Sequence, residues 1–494
     1  MTEKMHLLDI IGRQFQNHVA LIHQSHSWTF GEIYQKSDEW RSLLVGQINE
    51  GEIVVCEFEA DPFQYLIKFI GVLSAGGVHL STRDFKKTEG RLQNLGMPWS
   101  AITKKINPIG IGFMHVATYE GYEYSIALPR QNLKPQLNIH TLNSSSSEAK
   151  SKIKGGRILE TSGTTGEPKW VYWSEEGLIG DRLEWVDALS IGKEDVILNM
   201  HPLDFAHGMD VHLLTGLLSG AKVIHKNIQQ DLIQSIISDI REYQVTMMSA
   251  LPSHYAKIAN ACDDLNSCKT VRWGLTGGAL LSANTVNRVK EKTGMDLTRL
   301  YGATEAGIMC IDFNVNQISP KLQAMDGVEV QLHPIDEVSN IYPNVYEPYF
   351  KRKYMASFYW GDQAKTQQSF KDGWYKSGDA IMKNQDGTYS VLGRSSDVWV
   401  NDKGELVCSG EITNSLLQIN DLSEVVVISP KLSKKNISTF FCMVKEGNNL
   451  ANIKSLIEDK ICAFVKEYKV YLVSDWPKTA VGKPELRLLL NWCQ

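Results

Sequence analysis

The segment 157–174 reads RILETSGTTGEPKWVYWS. A short, largely apolar strand, Arg157–Leu159, runs into Thr161-Ser162-Gly163-Thr164-Thr165-Gly166-Glu167-Pro168-Lys169. Glycines allow the tight turns that aim successive backbone N–H groups at one anion. The hydroxyls of Ser162, Thr164 and Thr165 add donors, and Lys169 adds a point charge. Together these groups suit phosphate oxygens. A nucleotide-binding P-loop would be spelled GxxxxGK[ST]; here Lys169 follows a Glu-Pro step and precedes Trp170. Phosphate binding stands without the Walker fold, and the plainer alternative is a flexible polar turn.

The 494-residue chain around this loop exceeds one hydrophobic core, which stops growing near roughly 250–300 residues. About three compact units are expected. At 43% hydrophobic and 22% charged residues, wholesale disorder is excluded. A net charge of −5 gives no support to nucleic-acid or membrane-surface partners, which usually meet a basic excess. The best apolar run, YLIKFIGVLSAGGVHL, is interrupted by Lys68 and too short to span a bilayer. The N-terminus MTEKMHLLDIIGRQ lacks signal-peptide character, so a soluble, cytoplasmic protein is expected. Eight scattered cysteines form no CxxC pair and no zinc spacing, which suits buried free thiols.

Short β-rich runs alternate with helical patterns. IVVCEFEA, AKVIHK, QVTMMSAL and TVRWGLTGG read as buried strands, and FQYLIKFIGVLSAG and DLIQSIISDIREYQ as helices. Such alternation predicts α/β layers with largely parallel sheets. NSSSSEAKSKIKGG (143–156) reads as a surface loop. Beyond LGRSSD (392–397) the texture changes to two strand candidates, VVVIS and TFFCMV, and one helix, NIKSLIEDKICAFVKEY. These define a small α+β domain over 394–494, following an N-terminal domain over 1–393.

Motifs elsewhere extend the reading of the loop. Its sequence resembles the adenylate-forming superfamily: acyl- and aryl-CoA synthetases, carrier-loading adenylation domains and beetle luciferases. The signature [ST]SG[ST]TGxPK is matched by Thr161–Lys169 at every fixed position. RWGLTGGALLS (272–282) resembles the adenine-carrying loop, LYGATEAG (300–307) the YGxTE signature and DGWYKSGDA (372–380) the GW-Y-[RK]-[ST]-GD signature. GRSSDVWVNDKGELVCSGEI (393–412) resembles the hinge and its following loop, and PKTAVGK (477–483) matches PKTxxGK. SWTFGEIYQKSDEW and GVLSAGGVHL resemble two weaker upstream motifs. The resemblance implies a large body of stacked α/β subdomains with a β-rich part, and a small mobile C-terminal lid.

It also implies two half-reactions: a carboxylate attacks the α-phosphorus of ATP, then a thiol captures the acyl-AMP. Charge crowding on phosphorus makes this mostly positioning and electrostatics. By resemblance, the 161–169 loop holds the departing phosphates, Thr304 an α-phosphate oxygen and Glu305 a Mg²⁺ ion. Asp379 and Arg394 would hold the ribose, although they could equally form a surface ion pair. Gly277, Gly278, Ala279, Tyr301 and Gly302 would flank adenine. Lys483 would reach in from the small domain to bridge α-phosphate and substrate carboxylate as the catalytic lysine.

Several positions depart from the family. The hinge, usually Asp or Lys, is Ser396; the loop to Gly404 is one residue longer, and Val400 replaces a frequent Lys. Those changes bear on the thiol step and its tunnel. Segment 336–355 lacks a GELxxxG motif, and core or lid packing is expected of its tyrosines. In HPLDFAHGMDVHLLTGLLSGA (201–221), Phe205 stands where many CoA ligases have His, with His207 two further on. Ala206 stands where amino-acid-activating members carry Asp. A buried ammonium without a counter-charge is costly, so a plain acid is favoured, with Asp204 and Asp210 as the reservation. Trp273 and Met309 would add flat walls for an aryl or acyl group.

The expectation is an ATP-, Mg²⁺- and coenzyme A-dependent acid–thiol ligase. Its rivals are a stand-alone enzyme loading the phosphopantetheine of a separate carrier protein, and a non-catalytic nucleotide or acyl-adenylate binder.

Overall fold

The computed structural model describes residues 6–14, 16–95, 99–103, 112–119, 122–128, 154–161, 168–226, 233–262, 268–278, 281, 283–313, 321–336, 338–433, 437–445, 450–477 and 484–492. The expected α/β class is what the chain adopts. In a nine-stranded sheet, Val19–His23, Lys222–His225, Val196–Asn199, Met247–Ser249, Trp273–Gly277 and Leu297–Ala303 lie side by side in parallel. Antiparallel strands close both edges, His26–Thr29 at one and Gly307–Asp312 with Gln323–Ala324 at the other. A second, eight-stranded sheet has Gly156–Thr161, Val78–Thr82, Ile53–Glu57 and Trp99–Thr103 as its parallel centre. All four strands expected from sequence fall in these two parallel centres.

The helix Pro62–Ser74 has Pro62 to Leu73 buried without a break, in the core shared by strands of both sheets. A helix apolar all round belongs inside a large protein, so the absence of a polar face is its packing signature. Lys68, which interrupts the run in sequence, is buried and ion-paired with Glu59. Asp61 starts this helix by accepting from the N–H groups of Phe63 (2.8 Å) and Gln64 (3.1 Å), with Pro62 in the first turn. No helix among the described residues is long and apolar enough to cross a membrane. Seven described cysteines are free thiols and six of them are buried.

A third, antiparallel sheet carries Val345–Lys351, Asp379–Lys383 and Tyr389–Arg394 and supplies the β-rich part. The hairpin Val398–Val400/Leu406–Cys408 follows. Residues beyond it form a three-stranded sheet, Leu422–Ile428, Ser438–Val444 and Tyr468–Val473, with its own apolar cores. Three helices flank it, Ser409–Leu416, Leu450–Ile461 and Leu486–Trp492, so the tail has one strand and two helices more than its sequence suggested. Gly156, read as loop, begins a strand, because its N–H donates to the Gly77 carbonyl (3.1 Å). The hairpin serves two cores at once. Val398 and Cys408 pack with Val345 and Ala380, while Trp399 and Val407 pack with the tail residues Ile412 and Phe440. Strand alternation alone divides the two faces.

Candidate active site

Nine strands of the parallel ladders end around one cavity of about 1130 Å³. His23, His201, His225, Ser249, Gly278 and Thr304 reach it at or just after strand ends of the nine-stranded sheet, and Phe58, Arg83 and Thr161 from those of the eight-stranded sheet. Ligands of α/β folds sit in the crevice outside the carboxyl ends of the strands. Gly277, Gly278, Gly302, Thr304, Phe205 and His207 all line it. Gly278 has φ +73°, a left-handed conformation that a side chain would strain. Ser162, Gly163, Thr164, Thr165, Gly166, Ala279 and Lys483 lie outside the described residues.

Beside Thr304, whose carbonyl accepts from the Trp173 indole N–H (2.7 Å), Glu305 is buried and accepts the Tyr359 hydroxyl on Oε1 (2.7 Å). Lys169 Nζ lies 5.1 Å from the Tyr359 ring centroid. Burial lowers the Lys169 pKa and the Glu305 charge opposes that shift, so the lysine and carboxylate sense each other across the tyrosine. Arg91 secures the exit of the glycine-rich loop. It donates to the Pro168 carbonyl (2.7 Å) and stacks 3.9 Å over the Trp170 ring.

A second cluster forms where Asp379 faces Arg394 across an antiparallel ladder. Arg394 Nη1 lies 3.2 Å from Asp379 Oδ1, and the Tyr301 hydroxyl donates to Oδ2 (2.7 Å). Burial raises the Asp379 pKa, Arg394 lowers it and Glu305 adds to the rise. Asp397 is raised to about 6, first by burial. Arg394 also lowers the Lys169 pKa, so Lys169, Glu305, Asp379 and Arg394 share one electrostatic field.

The acid side of the cavity is shaped by a π-helical segment, His207–Leu214, whose i→i+5 spacing brings the His212 Nδ1 to the His207 carbonyl (2.8 Å). Only glycine fits at Gly208, since a Cβ there would strike the Pro202 carbonyl. His207 Nε2 contacts Ser249 Oγ at 2.5 Å. Asp210 is held by Arg157 Nη2 at 2.5 Å to each carboxylate oxygen, and Asp204 takes a bidentate pair from Arg83 (2.6 and 2.9 Å). Breaking a buried ion pair strands the partner charge. Asp210→Ala is therefore expected to cost about 3–5 kcal/mol, read as a lowered urea midpoint at unchanged m-value.

Trp273 and Met309, expected on the pocket wall, do not line this cavity. The Trp273 indole donates to the Leu189 carbonyl (3.1 Å), and Met309 is fully buried in a core with Phe350 and Tyr375. Trp273 sits at the amino end of its strand, opposite the crevice, and strand alternation turns Met309 away from it beside the cavity-lining Ile308. At Ser396 the carbonyl accepts from Ser429 Oγ (2.5 Å). Gly404 turns at φ +80°, and Tyr342 donates to its carbonyl (3.0 Å) while accepting the Leu406 N–H (2.9 Å). That double bond gives Tyr342, in the segment without a sequence motif, a structural task. His201, Ser249, Tyr359 and Arg91 were absent from the sequence reading, because their partners lie 42 to 77 residues away.

Residues 158–334 match the family model described as AMP-binding enzyme. The mitochondrial acyl-coenzyme A synthetase ACSM4 of Rattus norvegicus is 26% identical over 377 residues, 72% of this chain and 64% of that protein. This chain thus spans less than two thirds of that relative's length. Bacitracin synthase 3 of Bacillus licheniformis is 23% identical over 95% of this chain and 7% of its own length. In fold, the chain is similar to the O-succinylbenzoate coenzyme A synthetase (MenE) of Bacillus subtilis in complex with ATP and magnesium ion. That match has a TM-score of 0.77 at 18% identity and covers 99% of this chain and 100% of that one. Residues 158–334 thus match the AMP-binding enzyme family, and the whole chain is similar in fold to a coenzyme A synthetase.

Proposed function

We propose that the protein activates a carboxylic acid with ATP, releasing pyrophosphate and forming an acyl adenylate, and passes the acyl group to the thiol of coenzyme A. The observation that carries this reading is the shared field of Lys169, Glu305, Asp379 and Arg394 beside a cavity with room for both nucleotide and acid. In it, the loop 161–169 would take the β- and γ-phosphates, tethered at its exit by Arg91. Asp379, with Arg394 fixing one oxygen and Tyr301 the other, would accept the ribose hydroxyls. The Gly277-Gly278 turn would lie against adenine, flanked by Tyr301 and Gly302, and Thr304 would hold an α-phosphate oxygen.

The donor set fits Mg²⁺. Glu305 spends Oε1 on Tyr359 and takes no side-chain partner on Oε2 among the described residues, and this ion needs only one or two protein carboxylates. When bound, it neutralises phosphate charge. With domain units of 1–393 and 394–494, a second conformation would bring Gly404 and Ser396 to the thiol step. Each acid of the cavity lining already has an internal partner, Asp204 and Asp210 included, which favours a plain acid over an amino acid.

The test is acid-dependent pyrophosphate release over aryl, fatty and amino acids, followed by addition of coenzyme A or a phosphopantetheinylated carrier. Absence of any acid-stimulated release would sink the reading. Lys483→Ala is expected to cut release by about 10²–10³, the scale of one lost transition-state donor. Pyrophosphate exchange at the wild-type rate in that variant would remove Lys483 from the mechanism. Transfer to a carrier protein is the second reading, favoured by the near-complete alignment with a segment of bacitracin synthase 3.

A further inference from the structure

We infer that the acid pocket is built for a monocarboxylic acid carrying an uncharged hydrogen-bonding group, a hydroxyl above all, at the end remote from its carboxylate. The inference rests on the ligase reading for its carboxylate and on a histidine-rich wall for the rest. His23, His201, His207, His225 and His254 line the cavity together with Ser249. Hydrogen bonds fix the tautomers. The Asn199 amide is oriented by the His201 N–H on its oxygen (3.0 Å) and the Gly208 carbonyl on its nitrogen (3.1 Å). Its nitrogen therefore donates to His225 Nδ1 (3.2 Å), and the His225 proton sits on Nε2. His201 Nε2 donates to the Ser249 carbonyl (3.0 Å) and His23 Nδ1 to the His225 carbonyl (3.0 Å), leaving His201 Nδ1 and His23 Nε2 as bare acceptors.

These three ring nitrogens take no protein partner among the described residues, none is fully buried without one, and all three rings line the cavity. The wall offers one donor and two acceptors. Burial holds His201 near 4 and His225 near 3, so these two imidazoles are uncharged at neutral pH. Charges in the lining are spent internally. Arg83 pairs with Asp204, Arg182 with Asp181, Arg157 with Asp210 and Lys226 with Asp239 (2.8 Å). A second carboxylate or an ammonium on the substrate would be desolvated without compensation, and an alkyl tail would leave the ring nitrogens unpaired.

Matched acids test this: benzoate against 4-hydroxybenzoate and cinnamate against 4-hydroxycinnamate, with hexanoate, succinate and phenylalanine. In pyrophosphate release, the hydroxylated member of a pair is expected to lead in kcat/KM by about tenfold or more, since a site built to bond a hydroxyl rejects the analogue lacking it. His225→Phe and His23→Phe should shrink that ratio by lowering kcat/KM of the hydroxylated acid, with KM for ATP as the control on folding. Equal or higher kcat/KM for a plain, dicarboxylic or amino acid overturns the inference. Calorimetric titration of the acids without ATP separates it from the ligase reading. If no acid releases pyrophosphate but the hydroxylated acids bind and His225→Phe weakens them, ligation fails and the pocket chemistry stands. If the hydroxylated acids bind no better than the plain ones, the pocket chemistry fails.

Discussion

Glu305→Gln is expected to lower pyrophosphate release at saturating ATP by about 10²–10³, the scale of one electrostatic transition-state contact. The substitution keeps the shape of the side chain and an oxygen to accept the Tyr359 hydroxyl, now at 2.7 Å, so the buried position remains filled. What it removes is the charge. Two consequences separate this from general damage. Half-saturation in Mg²⁺ should rise, because an amide oxygen is a poorer ligand than a carboxylate for a hard cation. The Lys169 ammonium should also titrate lower, because Glu305 is the charge that opposes the effect of its burial. Wild-type release at ordinary Mg²⁺ would remove Glu305 from the metal site.

Acid lability is expected to be equally large and to begin above the carboxylate range. Burial lowers His79, His212 and His225 to about 3 and His201 to about 4, and holds His207 well below 6.5. In the unfolded chain each would protonate near 6.5. Between those values the unfolded state binds more protons than the folded one, so stability is full above pH 6.5 and falls as pH drops toward 4. Each histidine contributes about 1.4 kcal/mol per pH unit in that window. Five of them approach a typical total stability of about 5–15 kcal/mol before pH 5. Asp397, raised to about 6, and the raised Asp210 and Asp379 act in the opposite sense and offset part of the loss. Scanning calorimetry from pH 8 to 4.5 should show Tm falling steeply below 6.5. His79→Phe should flatten the slope by about one proton, since that ring packs edge-on to Tyr65 and Phe69 away from the cavity. A Tm unchanged between pH 7 and 5 would refute the linkage.

How much of this was readable in advance depends on contact range. The strands Ile53–Glu57 and Trp273–Gly277 and the helix Pro62–Ser74 announce themselves by local apolar runs. Thr304, Glu305, Asp379 and Arg394 sit in spelled motifs, and the fold gathers them around one field. The histidine wall is different in kind, because His201, His225 and Ser249 arrive from the ends of three separate strands. Periodicity also could not show the π-helical segment, whose extra residue per turn leaves an apolar pattern still readable as helix. Trp273 and Met309 misled for a related reason. Trp273 begins its strand, at the end away from the cavity that Gly277 and Gly278 line, whereas Met309 follows the cavity-lining Ile308 and a one-residue step turns it into the core.

The hairpin Val398–Cys408 behaves mechanically as a shim glued on both sides. Val398 and Cys408 adhere to the large body, Trp399 and Val407 to the small one, and its tip is bonded to Tyr342 on one side and, through Asn401 Nδ2, to the Phe464 carbonyl (2.8 Å) on the other. Any large reorientation of the tail must peel one of these faces. The body face holds by Val398, Val400, Leu406 and Cys408 and by the two Tyr342 hydrogen bonds, and the tail face by Trp399, Val407 and the Asn401 bond. Peeling the body face would send the Gly404 turn along with the tail as its leading edge, whereas peeling the tail face would leave that turn fixed on the body.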